Sequence, residues 1–226
     1  QDIENHRELL THPKLSTIIC LTNWHKYKFV EQFPETFDRI EVIGNGIDRG
    51  HFVNVWPKLE KINGKVFSNN FQYVHLKNPN QYVYTSHCER GLAKILEDWP
   101  AIKQFNPNAI LKISTPEYGL EYYNLYFKEL VDSLEDVEFL GTLSRPQLYK
   151  LMAESSYWYY PSEYEETFCI TALEMLGHKV QPITWEWGGL KETLHGFNTR
   201  HENEKINWNL VKDYLHYNTW EYIVKH

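Results

Sequence analysis

Tyr157-Trp-Tyr-Tyr-Pro-Ser-Glu-Tyr-Glu-Glu-Thr-Phe-Cys-Ile-Thr-Ala-Leu-Glu174 is the stretch on which the fold turns. Tyr157–Tyr160 is a short aromatic run closed by Pro161 and Ser162, the pattern of a buried strand. An acidic turn follows, with Glu163, Glu165 and Glu166. Ile170, Leu173 and Leu176 then recur at helical spacing, with Gly177 as a stop. A strand that runs through a loop into a helix start is where open α/β sheets bind ligands.

Outward from this unit the chain alternates regularly. Toward the amino terminus the pattern predicts strands at Tyr82–Thr85, Ala109–Ile113 and Val137–Leu140. Helices are expected over Gly91–Lys103, Leu120–Leu134 and Ser144–Glu154. Leu92, Ile95, Leu96 and Trp99 share one face of the first of these. A strand at Val180–Thr184 and a helix from Gly188 follow the opening unit. The expected fold is α/β, a Rossmann-like doubly wound parallel sheet with short connections. Ahead of it, residues 1–14 suggest a short helix ending near Pro13, and Leu15–Leu21 a buried strand. Thr22 caps a helix over Asn23–Gln32 that ends at Pro34. Arg39–Ile43 reads as a strand. Gly44-Asn-Gly-Ile-Asp48 reads as a tight turn whose glycines suit positive φ and close backbone approach. Residues 49–80 read as a mobile surface loop, and 200–226 as terminal helices. The expected division is 1–38 as a linker or remnant of a preceding domain, 39–200 as the sheet domain, and 201–226 as C-terminal helices.

Bulk properties narrow the function. The 226 residues are 42% hydrophobic and 23% charged, with a net charge of −7. That balance argues against nonspecific nucleic-acid or anionic-membrane binding, which needs a cationic field. Cys20, Cys88 and Cys169 are odd in number, widely spaced and free of a CxxC, so neither a disulfide scaffold nor a zinc site is expected. A reducing, cytoplasmic setting follows as the default. His75, His87 and His178 are not spaced as metal ligands. No apolar run approaches a membrane span, and no signal peptide is visible. The chain begins Gln1-Asp-Ile-Glu without Met, as an excised piece would.

Glu166 and Glu174 stand eight residues apart. On a helix that is roughly 12 Å of rise, with the side chains within about a quarter turn of each other. Such a pair cannot share a proton or a metal. It can grip hydroxyls at two ends of an extended ligand, with bare helix-start amides between them for an anion. A nucleotide-sugar has that layout. The plain alternative is one carboxylate at a helix start and one in solvent. Arg90, at the start of the helix after the first sheet strand, could clamp a diphosphate. Alternatively it is a surface arginine.

Glu166…Glu174 resembles the E-x7-E motif of retaining GT-B glycosyltransferases of the GT4 type. Val42-Ile-Gly-Asn-Gly-Ile-Asp48, Arg90-Gly-Leu92, Val137-Glu-Phe-Leu-Gly141 and Gly188-Gly-Leu-Lys-Glu192 support the likeness, in that order over roughly residues 39–194. The resemblance implies the C-terminal, donor-binding half of a GT-B enzyme. Its substrate would be a nucleotide-diphosphate sugar; no separate cofactor and no metal are implied. Glu166 would accept hydrogen bonds from the donor sugar, and Glu174 from the ribose. Thr167, Phe168 and Cys169 would offer amides to the phosphate and sugar. Gly46 would lie in the inter-domain hinge beside the donor, and Gly189 in a turn closing on the cleft. Gly141 and Leu143 would meet the nucleobase, or else form a plain turn capped by Ser144. The catalytic pair would be Glu166 and Arg90. The family usually carries a further arginine about five residues before the second cation; here Thr85 and Ser86 stand there. A related subset has Ser-Ser-x-x-Arg-Gly-Leu, which the Thr85-Ser86 pair approaches. The partner would be an N-terminal, acceptor-binding domain of the parent chain. A nucleotide-sugar epimerase or a non-catalytic nucleotide- or sugar-binding module remain the alternatives. An NAD enzyme ranks lowest, since no GxGxxG follows a strand. Cys169 as a nucleophile is favoured by a helix start and opposed by nearby carboxylates.

Overall fold

A computed structural model of the chain describes residues 7–10, 12–48, 59–62, 65–68, 77–199, 206–207, 210–211 and 214–215. Helix α1 (Arg7–Leu10) is followed by strand β1 (Ile18–Cys20), helix α2 (Asn23–Gln32) and a 3-10 segment, Pro34–Arg39. Strand β2 (Ile40–Val42) pairs with β1 in parallel, Ile18 opposite Ile40. Thr22 caps α2 as expected: its hydroxyl accepts the His25 amide at 3.1 Å. Part of the stretch 49–80 read as a loop is instead an antiparallel hairpin. It consists of β3 (Leu59–Ile62) and β4 (Lys65–Ser68), with Leu59 opposite Ser68. The end of the stretch, Asn78–Asn80, is also not loop but the start of the next strand; the mobility expected of 49–80 otherwise concerns 49–58, 63–64 and 69–76, which lie outside the described residues.

The main sheet begins with β5 (Asn78–Tyr84) and α3 (Leu92–Phe105). Strand β6 (Ile110–Ile113) leads to α4 (Leu120–Tyr126) and α5 (Lys128–Ser133), then to β7 (Val137–Phe139). After α6 (Arg145–Glu154) come β8 (Ser155–Tyr160), α7 (Ile170–Gly177), β9 (Gln181–Thr184) and α8 (Leu190–Leu194). The five strands form one parallel sheet in the order β7-β6-β5-β8-β9. The chain therefore starts in the middle, grows outward through β6 and β7, then returns to lay down β8 and β9 on the other side. The doubly wound α/β expectation holds.

The strand register explains the aromatic run. Tyr82 is opposite Tyr157 and Val83 opposite Trp158, so alternate residues of β8 face opposite sides of the sheet. Helix α3 covers the Tyr157 and Tyr159 side. Trp99 meets Tyr82 edge-on, and the Tyr159 hydroxyl donates to Asp98 at 2.7 Å. Leu92, Ile95, Leu96 and Trp99 are all buried, which is the face the i, i+3, i+4, i+7 spacing dictates.

The single helix expected over Leu120–Leu134 is two helices broken at Phe127, whose φ/ψ of −121/−22 are not helical. Tyr123, Phe127 and Val131 are the buried stripe. A strict four-residue repeat drifts around a 3.6-residue helix, and the break returns the stripe to the sheet. Of the C-terminal helices expected over 200–226, Leu210, Val211, Tyr214 and Leu215 are helical. Val211 and Leu215 are buried in the core; the rest of that expectation lies outside the described residues. Among the described residues no helix is long and apolar enough to cross a membrane.

At the opposite end of the sheet from the helix starts, the Lys77 ammonium donates to the Ser155 carbonyl. Burial, with Lys179 nearby, lowers its pKa from 10.5 to about 7. Below about 7 the native state carries a buried ammonium. Between there and 10.5 native Lys77 is neutral while the unfolded chain still holds the proton, so its contribution to stability rises with pH across that window. In urea melts, Lys77→Met is expected to gain most over the parent below about pH 7. That difference should shrink steadily toward pH 10.5.

Candidate functional site

The reversal of strand order falls at β5, so the loops leaving β5 and β8 diverge and open a crevice at their carboxyl ends. Arg90 leaves from β5 and Glu166 from β8. Gly91, at φ +97, brings the two exits together: a β-carbon there would lie 2.9 Å from the Pro161 carbonyl oxygen. Glu166 is buried, and its Oε1 accepts from Arg90 Nη1 at 3.1 Å and from the Tyr160 hydroxyl at 3.0 Å. Its Oε2 has no hydrogen-bond partner among the described residues. The Arg90 guanidinium lies 4.1 Å from the Tyr164 ring centroid. Arg90 is therefore not a lone surface cation but half of a pair with the first carboxylate.

The helix geometry expected from Glu166 to Glu174 needs correction. Helix α7 starts at Ile170, with Cys169 as its N-cap in extended conformation. Glu166 stands ahead of it in a loop. The cause is hydrogen bonding. In a helix the Glu166 and Thr167 carbonyls would accept from Ile170 and Thr171. Here Gly189 N–H donates to the Glu166 carbonyl at 2.6 Å, and the Thr22 hydroxyl to the Thr167 carbonyl at 2.9 Å. With both acceptors taken, the helix begins late. Among the described residues the Thr167 and Phe168 amides have no hydrogen-bond partner. The Cys169 amide makes a long 3.5 Å contact to the Thr193 hydroxyl.

Gly188 and Gly189 make this contact possible. A β-carbon on Gly189 would meet the Thr167 carbonyl oxygen at 2.5 Å, and one on Gly188 (φ +60) the Glu166 carbonyl oxygen at 2.7 Å. The turn thus presses on the Glu166 loop, and the Gly189 amide is already engaged there. Glu192, one turn on, ties in the N-terminal segment. Its carboxylate accepts the Asn23 and Trp24 amides at 2.8 and 2.6 Å, capping α2 from another element. Gly44 and Gly46 do not have the positive φ that the sequence suggested. Close approach is what Gly44 supplies: a β-carbon there would lie 3.0 Å from the Phe168 ring; Gly46 precedes the buried Ile47.

Glu174 is also buried, on α7, and its Oε1 accepts from Arg145 Nη1 at 2.7 Å and from the Tyr149 hydroxyl at 3.2 Å. The sequence reading missed both partners. Their signal was an arginine at the first position of a Ser144-capped helix, with a tyrosine four residues on. Gly141 has φ +68 and open space where a side chain would start. Its carbonyl accepts the Ser114 hydroxyl at 2.9 Å, joining the β6 and β7 exits. Leu143 packs half-buried against the core, and Ser86 sits half-buried on the β5 exit. Beside it the buried Thr85 hydroxyl has no partner among the described residues.

Burial, then the Glu166 charge, pushes the Cys169 thiol up to about 12, which removes it as a nucleophile at neutral pH. Among the described residues no group of three His, Cys, Asp or Glu side chains could hold a metal ion.

Solved structures share this fold. A glycosyltransferase from Rickettsia africae ESF-5 matches with a TM-score of 0.73 at 14% identity, over 98% of this chain and 64% of that one. Anabaena Alr3699/HepE in complex with UDP-glucose matches at 0.60 and 18%, over 88% and 53%. The catalytic domain of starch synthase IV from Arabidopsis thaliana, bound to ADP and acarbose, matches at 0.56 and 14%, over 93% and 50%. At these identities the likeness is one of fold, and the chain spans less than two thirds of the length of each. No family model matches the sequence, and no curated protein does.

Gly189→Ala should cost about 1–3 kcal/mol in urea unfolding, because its new methyl meets backbone atoms that cannot yield. The Cys169 thiol should stay unlabelled by iodoacetamide at pH 8 in the folded chain and react once the chain is unfolded in urea.

Proposed function

We propose that the chain is the donor-binding half of a GT4-like, retaining glycosyltransferase. It binds a nucleotide-diphosphate sugar, and the sugar passes to an acceptor with its anomeric configuration kept. The observation that carries this reading is the loop ahead of α7. Two buried carboxylates, Glu166 and Glu174, flank a segment whose Thr167 and Phe168 amides have no partner among the described residues. Bare amides beside a helix start suit a diphosphate, and the acceptor oxygens suit hydroxyls at either end. The fold likeness to structures holding UDP-glucose and ADP supports the same class of ligand.

In the proposed reaction, negative charge develops on the diphosphate as the glycosidic bond breaks. Arg90 and the amides would stabilise it electrostatically, in place of a metal. Glu166, with Oε2 open, would accept a hydroxyl of the donor sugar. Glu174 would face the ribose from the other end, and Gly141 and Leu143 the base. The three free and buried thiols suit a reducing, cytoplasmic setting.

The acceptor side would come from an N-terminal domain of a longer parent. Strands β1 and β2 form a parallel pair with Ile19, Val42 and Ile43 exposed. Parallel strands are ordinarily buried on both faces, and two strands alone do not make a stable sheet. The isolated chain is accordingly expected to bind donor but to transfer sugar poorly.

A thermal-shift screen with UDP-, GDP- and ADP-sugars tests the reading. One of them should stabilise the chain, and Arg90→Ala should weaken that nucleotide about 10- to 100-fold, the worth of a charge-assisted hydrogen bond. Glu166→Gln should leave nucleotide binding within about threefold and abolish transfer by the parent enzyme. No shift with any of the three at millimolar concentration contradicts the reading.

A further inference from the structure

Glu174 is held by an arginine that spends only one of its nitrogens. Arg145 is the first residue of α6, and Glu174 lies in the second turn of α7. Both helices follow strands of the parallel sheet, so both begin at its carboxyl edge, where the crevice opens. Arg145 Nη1 donates to Glu174 Oε1 at 2.7 Å and to the Tyr149 hydroxyl at 3.2 Å. Its Nε and Nη2 have no hydrogen-bond partner among the described residues. Those two nitrogens form the side-on fork of a guanidinium, with two parallel N–H donors in one plane. The Arg145 side chain is 70% exposed, against 7% for Glu174. Tyr149 is fixed in turn, its ring stacked on buried His178 at 5.2 Å. The arginine is thus anchored at one nitrogen while its fork stays open. An arginine kept only for an ion pair is strongest when the fork itself grips the carboxylate.

The fork needs two adjacent acceptors in one plane. In a nucleotide-sugar bound as proposed above, the diphosphate lies at the Thr167 and Phe168 amides and the ribose at Glu174. What remains beyond the ribose is the base, on the side of Gly141 and Leu143. Leu143 stands two residues ahead of Arg145. The fold leaves the choice of base open, since structures that share it hold UDP-glucose and ADP. Guanine presents O6 and N7 side by side as acceptors, the edge that arginine reads through two bonds. Adenine sets an amino donor beside its N7, so one arm of the fork meets another donor. Uracil has O4 with no acceptor beside it.

We propose that Arg145 reads the base of the donor, and that the donor is a guanosine diphosphate sugar. The proposal rests on the donor-binding reading and adds the nucleotide to it. Nη1 stays on Glu174 while Nε and Nη2 donate to O6 and N7. A lysine in its place keeps a charge beside Glu174 but has no fork.

Calorimetric titration of the whole chain with GDP, UDP, ADP, IDP and 7-deaza-GDP tests it. GDP should bind about 10- to 100-fold more tightly than UDP or ADP. IDP keeps O6 and N7 and should match GDP within about threefold. The deaza analogue lacks the N7 acceptor and should fall toward ADP. Arg145→Lys should bring GDP down to UDP and ADP, and leave those two within about threefold of the unaltered chain. An arginine with a structural role alone would weaken all of them by one factor. Four results overturn the proposal: UDP or ADP binds as tightly as GDP, IDP falls with UDP and ADP, the deaza analogue matches GDP, or Arg145→Lys keeps the preference. The analogues decide on the unaltered chain even where the variant fails to fold. All four leave the donor-binding reading standing, whereas binding of none of the five nucleotides overturns both.

Discussion

Two hydrogen bonds from distant parts of the chain govern the site. Gly189 and Thr22 occupy the Glu166 and Thr167 carbonyls, and those are the acceptors a helix would need to start at Glu166. Helix α7 consequently begins at Ile170. The residues ahead of it remain a loop whose Thr167 and Phe168 amides have no partner among the described residues, with the Glu166 carboxylate buried. Had either bond been absent, the acidic run Glu163–Glu166 could have joined the first turn of a longer helix, with its side chains in solvent. The glycine pair at 188–189 and the Thr22 cap thus shape the crevice more than any residue inside it.

Electrostatics follows from that shape. Burying two carboxylates in a chain of net charge −7 is costly unless each has a partner. Each has an arginine from another element, Arg90 for Glu166 and Arg145 for Glu174. Each also has a tyrosine hydroxyl, from Tyr160 and Tyr149. The two sites are built alike, and both keep their charges local. An acidic protein can hold an anion only where such local donors outweigh its overall field. The loop ahead of α7 is where the amides and Arg90 come together.

The sheet was legible in the sequence because its signals are local. Aromatic and branched runs marked β5 to β9, the Leu92–Trp99 stripe marked α3, and Thr22 and Ser144 marked helix starts. What escaped depends on residues far apart in the chain. The bond that delays α7 spans 145 positions, from Thr22 to Thr167, and the Arg145–Glu174 pair spans 29. Neither leaves a local pattern. Glycines misled for a related reason. Positive φ and close approach call for the same residue, and only the packing of Gly44 on Phe168 separates them. The two carboxylates themselves were found by spacing, although the helix assumed to carry both carries only Glu174.

On the proposed reading, the Thr167 and Phe168 amides, without a partner among the described residues, are held for a diphosphate. The most direct measurement is a 1H–15N spectrum of the labelled chain, titrated with UDP, GDP and ADP and with the matching nucleosides. The account predicts that one diphosphate shifts the Thr167 and Phe168 amide resonances strongly downfield, and that its nucleoside leaves them in place. Equal shifts with diphosphate and nucleoside, or perturbations confined to other parts of the chain, would contradict it.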